Sequence, residues 1–100
     1  MNFEGYVRDI ERQSSAEEAR EVALARARFR LGTKVLQQRL TLGLTQQQLA
    51  SESGIAQADI SRIEHGQSNP TAGTLEAIAR PLGIALDLVP ADQIEKAAEV

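Results

Sequence analysis

The chain has 100 residues, 42% hydrophobic and 25% charged, a globular balance that excludes a disordered polar chain and suits one small domain with appendages. Cysteine is absent, which excludes disulfide staples and thiolate metal sites, and no apolar run is long enough to span a membrane. The formal net charge of −3 is at first sight adverse to a nucleic-acid partner, because phosphate neutralisation by Lys and Arg normally dominates such affinity.

The acidity is unevenly placed. Residues 1–25 carry three Arg against six acids and residues 91–100 one Lys against three, whereas residues 26–90 hold seven basic residues against five acidic ones. The middle of the chain is therefore mildly basic. The start Met1-Asn-Phe-Glu-Gly5 lacks the charged-then-apolar layout of a signal peptide, so a cytoplasmic protein is expected.

In chain order, Phe3, Tyr6, Val7 and Ile10 recur at helical spacing and predict a first short helix that ends in the polar Gln13-Ser-Ser15. Ser15 followed by Glu18 is a capping box that opens an Ala-, Glu- and Arg-rich helix running to about Leu31. Ala16, Ala19 or Ala23, Ala27 and Leu31 share one face of it, a small-residue stripe that either caps the chain's own domain or offers a surface to a partner protein. Gly32 is expected to mark a bend before a further helix from Thr33 to about Leu42, with Val35, Leu36 and Leu40 directed to the core and Gly43 ending it.

Thr45 and Gln48 form a second capping box, with Leu44 and Leu49 at the hydrophobic staple positions around it. Gly54 stops that helix, and Gln57 to Glu64 resumes helical spacing. Ile60 and Ile63, with Ile55 in the turn, face Leu49 and Ala50, which leaves Gln57, Ala58, Ser61 and Arg62 outward. Gln, Ser and Arg can bond base edges, and this spacing suits the major groove, so the two short helices look like a helix-turn-helix with its second helix as reader. The run His65-Gly-Gln-Ser-Asn-Pro70 is turn chemistry, and Thr71 caps a helix that turns Leu75, Ile78, Ala79 and Leu82 inward. His65 has no second His or Cys near it, so no metal site is expected. Pro81 should kink or end the helix near Arg80. Ile84, Leu86 and Leu88 then alternate with mixed residues in the period of a strand, and residues 91–100 read as a frayed helix or tail.

Leu44-Thr-Gln46, Leu49-Ala50, Gly54-Ile55, Gln57, Ile60-Ser-Arg-Ile-Glu64, Gly66, Asn69-Pro70-Thr71 and Thr74-Leu75 together resemble the lambda-repressor-like, or Cro/Xre-type, helix-turn-helix family over roughly residues 30 to 90. The resemblance implies a mainly α fold: a helix-turn-helix bundle over residues 31–90, an N-terminal helical extension over 1–30 and a tail over 91–100, with a short C-terminal β-strand. It implies that Gln57, Ala58, Ser61 and Arg62 lie against base edges, and that Thr45, Gln46 and the loop of Gln67, Ser68, Asn69 and Thr71 lie against phosphates. It further implies an ion pair between Arg39 and Glu64 that clamps the helix before the motif to the end of the reading helix. Two positions depart from the family: Pro81 stands where a helix former is usual, and Ala56 replaces the usual Ser or Thr cap. Asp59 either accepts from a cytosine amino group or offsets the helix dipole.

The implied partners are double-stranded DNA and a second copy of the chain, with Ile84, Leu86 and Leu88 either forming a self-paired strand at the dimer interface, as in the Xre-type antitoxins the chain resembles, or packing back on the helix of Leu75 and Ile78, with dimerisation through helices or only on DNA. A short acidic, helix-prone extension also fits an antitoxin that binds a cognate toxin and autoregulates its operon. The alternatives are a stand-alone repressor with no toxin, or a protein-interaction module with DNA binding secondary. No phosphate loop, Ser-His-Asp set or pocketed carboxylate pair points to an enzyme, and no cofactor is expected.

Overall fold

Three hydroxyl side chains begin the helices that matter. Ser15, Thr45 and Thr71 each accept from the backbone N–H three residues on, at 3.2, 3.0 and 3.2 Å. In the computed structural model, which describes residues 2–13 and 15–93, the described residues form α1 (Phe3–Gln13), α2 (Ala16–Thr41), α3 (Gln46–Ser53), α4 (Gln57–Glu64) and α5 (Ala72–Leu82). The mainly helical class is as expected. The side chain of Ile10 and the tail beyond residue 93 lie outside the described residues.

At Gly32 the structure corrects the sequence reading, because α2 runs unbroken through it for 26 residues. At 1.5 Å per residue such a helix is about 39 Å long. Gly32 serves contact rather than bending: a Cβ there would stand 2.1 Å from the Ile63 carbonyl oxygen. One face of α2 carries Gly32, Val35 and Arg39, all buried against the motif. Leu40, expected in the core, is 61% exposed. It stands five residues from Val35, about 140° round the helix axis.

The core is built from Val35, Leu49, Ile60, Ile63, Ile78 and Leu82, with Leu44, Ala50 and Ile55 packed against it. Full burial of a side chain such as Leu49 or Ile60 contributes about 1.5–3 kcal/mol, so these contacts, drawn from four helices, fix α3 against α4. The N-terminal helix folds back on α2, where Val7 is buried, Phe3 stacks on Phe29 at 6.1 Å, and Glu4 pairs with Arg26 at 3.4 Å.

The C-terminal strand is not found. After α5 the Gly83 N–H donates to the Arg80 carbonyl and the Ile84 N–H to the Ala79 carbonyl, a Schellman closure that carries the helix past Pro81 to Leu82 before it stops. Pro81 lies in the last turn, where its missing N–H costs α5 one i→i−4 bond, to the Ala77 carbonyl, without ending the helix at Arg80. Ile84, Leu86 and Leu88 follow in irregular chain, because a lone strand has no neighbour in the described residues to take its backbone bonds. Leu88 is 96% exposed.

Candidate nucleic-acid interface

The turn between α3 and α4 is made by Gly54 with a positive φ of 77° and by the Ser53 hydroxyl, which accepts from the Ile55 N–H at 3.1 Å. With Ile60 and Ile63 buried beneath it, α4 has one orientation. Gln57, Ala58 and Arg62 are exposed and Ser61 is half-buried, so the expected reading residues share the outward side. Asp59 contacts the Arg62 guanidinium one turn along. At this uncapped helix start, Asp59 is therefore also the side chain paired with Arg62.

Behind α4 lies the Arg39–Glu64 pair. Arg39 Nε donates to Glu64 Oε2 at 2.7 Å and Nη2 to Oε1 at 2.9 Å, a two-point grip, while Nη1 donates to the Leu44 carbonyl at 2.8 Å. The two side chains are 10% and 2% exposed. Burial alone pushes the Glu64 carboxyl up, but hydrogen bonds from Arg39 and Gln46 and the nearby charge of Arg39 outweigh it and hold the group below its ordinary value. The hydrogen bond to Glu64 raises the Arg39 guanidinium against the opposing effect of burial.

Gln46 occupies a place that its position in the sequence did not disclose. Its Nε2 donates to Glu64 Oε1 at 3.0 Å, and its Oε1 accepts from Gln57 Nε2 at 2.9 Å. Thr45, Gln46 and Gln57 line one groove with Arg39 and Leu44, so an expected phosphate contact and an expected base contact meet there. The signal for this lies in the family spacing of Gln46 and Gln57 at the two helix starts, but only the packing of α3 on α4 brings the amides together.

The loop after α4 lies on the other side of the motif. Gly66, with a φ of 70°, turns the chain against the α2 backbone, where a Cβ would stand 3.2 Å from the Phe29 Cα. The Gly66 and Gln67 amides are engaged by the Ile63 and Arg62 carbonyls, so any phosphate contact from Gln67 comes from its exposed side chain. Ser68, Asn69 and Thr71 line a second groove with Gly54, Ala56 and Asp59, which sets this loop beside the start of α4. His65 Nδ1 lies 2.7 Å from the Ser61 carbonyl, a local helix-end contact.

Comparison with known proteins agrees with this geometry. A helix-turn-helix family model matches residues 35–89. An uncharacterized HTH-type transcriptional regulator of Haemophilus influenzae is 39% identical over 82 residues, 82% of each chain. Another from Sinorhizobium fredii is 37% identical over 54 residues, covering 54% of this chain and 70% of that one. No solved structure matches significantly. With more than half its length matched, and with the buried ion pair, the turn and the exposed side of α4 in place, the chain belongs to the Cro/Xre-type helix-turn-helix family of DNA-binding regulators.

Proposed function

We propose that the chain is a cytoplasmic, sequence-specific transcriptional repressor that binds double-stranded DNA as a two-fold dimer on an inverted repeat. The observation that carries this reading is the outward face of α4: Gln57, Ala58 and Arg62 are exposed and Ser61 half-buried on a helix whose opposite face is buried. Gln57 and Arg62 have the chemistry for adenine and guanine edges in the major groove. Thr45, Gln67, Ser68, Asn69 and Thr71 flank them as phosphate contacts. A single unit reads few base pairs, and a dimer that places two reading helices about 34 Å apart reads two half-sites. Ile84, Leu86, Leu88 and Val89 are 39 to 96% exposed in one chain, an apolar segment suited to burial against a second copy.

Selection of bound duplexes from a randomised library, followed by footprinting, tests this. Arg62→Ala is expected to cost about 1–3 kcal/mol of affinity and to relax preference at one base position, whereas Gln67→Ala weakens all sequences alike. An Arg62→Ala chain with unchanged base preference overturns the assignment. A second role, as the antitoxin of a toxin–antitoxin pair, is favoured over a stand-alone repressor by the exposed Phe3, Tyr6 and Phe29 on the N-terminal helices. Light scattering of the chain purified alone and from its native operon separates the two, since a stand-alone repressor acquires no added mass.

A further inference from the structure

The hydrogen bonds from Arg39 to Gln57 form one directed chain, and its direction is set by chemistry rather than by how any amide is drawn. Glu64 is ionised and buried, so its oxygens only accept. Arg39 only donates and takes one side of each oxygen. Gln46 must therefore turn its NH2 to Glu64, which leaves its carbonyl oxygen toward α4. Gln57 must in turn offer its own NH2 to that oxygen. What remains for DNA is one N–H and the carbonyl oxygen of Gln57, in a fixed order along the groove.

We propose that the buried Arg39–Glu64 pair is a positioning device for sequence recognition: acting through Gln46, its acceptor-only carboxylate fixes which way the Gln57 amide faces the base edges. The inference rests on Gln57 being a base-reading residue, as in the function proposed above. A free glutamine side chain rotates by 180° at little cost and presents donor and acceptor in either order. Held by Gln46, it presents one order, and that order discriminates between a base edge offering acceptor then donor and its reverse. The ion pair thus acts on DNA from a site where it touches none. Gln46 keeps its second N–H, which is free to meet a phosphate.

The test uses the full chain, the best duplex recovered from a randomised library, and the three single-base-pair variants at each contacted position. Gln57→Ala identifies the position read by Gln57, and Arg62→Ala identifies a control position. In the parent chain, discrimination at the Gln57 position is expected to be about tenfold or more, the range of one good bidentate contact. Glu64→Gln can show Gln46 either an oxygen or an NH2, so discrimination there should fall to within about threefold while that at the Arg62 position persists. Glu64→Gln also leaves Arg39 without its counter-charge, so Gln46→Met serves as the second variant: it cuts the chain while the ion pair stays whole, and should give the same selective loss. If Gln46→Met weakens every duplex alike and keeps full discrimination at the Gln57 position, the positioning role is overturned and base reading by Gln57 stands. If Gln57→Ala changes no base preference, the reading itself falls and the proposal with it.

Discussion

Glu64 is 2% exposed at its side chain and bonded to two donors besides its second Arg39 contact, so its loss is not a surface event. Replacing it by Gln leaves the Arg39 guanidinium buried without its counter-charge, and breaking such a pair costs about 3–5 kcal/mol, a large part of the stability of a small domain. Urea denaturation measures it, and a loss below about half a kcal/mol would place the pair among exposed, weakly contributing ones. The folded carboxyl lies below its ordinary value of 4.5. Its contribution is therefore complete above that value and is lost as pH falls through the lower, folded one. Denaturation midpoints taken downward from pH 6 should show this loss in the parent chain, with a shallower fall in Glu64→Gln. Gly32 makes the opposite kind of point. In an isolated helix Ala for Gly gains about 0.5–1 kcal/mol, but here the new Cβ meets backbone carbonyl oxygens of Ile63 and Glu64 at 2.1 and 3.0 Å. Helix α2 would have to move off α4, and overpacking of this kind costs about 1–3 kcal/mol. Gly32→Ala is expected to lower the urea midpoint, and a rise would show that the two helices do not meet there.

The unequal starts of α3 and α4 matter at the scale of elements. Thr45 and Gln48 close a full capping box on α3, with bonds of 3.0 and 2.8 Å, whereas α4 begins at Ala56 with no side-chain cap. Helix α4 therefore depends on burial of Ile60 and Ile63 rather than on its own end. Ala56 already has the extended backbone of a cap residue, with φ −58° and ψ 140°. Ala56→Ser should then stabilise the chain by about 0.5–1 kcal/mol, whereas Thr45→Ala should destabilise it by about the same or more. Thermal melts of the two variants, read side by side, check both signs.

The whole molecule joins two parts through one helix, since α2 meets α1 at Arg26 and Phe29 and the motif from Gly32 to Arg39. The core cluster around α4 lies between Val35 and Leu82, so a chain ending at Gly83 retains the packing that holds α4. Such a chain is expected to fold with the midpoint of the parent and, on the dimer proposed above, to run as a monomer in light scattering. A truncated chain that dimerises as tightly as the parent moves the interface elsewhere, with the N-terminal helices next in line.

The sequence alone determined the features that are local. Ser15, Thr45 and Thr71 cap because a hydroxyl three residues before a free N–H reaches it whatever the rest of the chain does. Ile55, Ile60 and Ile63 face Leu49 because helical periodicity puts them on one side, and that same periodicity exposes Gln57, Ala58 and Arg62. The Arg39–Glu64 pair, 25 residues apart, was legible only through family resemblance, because nothing local relates the two positions. Tertiary structure decided the rest. Gly32 reads as a break by propensity and is a contact point because α4 crosses α2 there. Ile84, Leu86 and Leu88 alternate like a strand but stay irregular, because a strand exists only with a neighbour to bond. Gln46 reads as a lone polar residue at a helix start, and only the packing of α3 on α4 places its amide between the buried Glu64 carboxylate and Gln57 on the exposed side of α4.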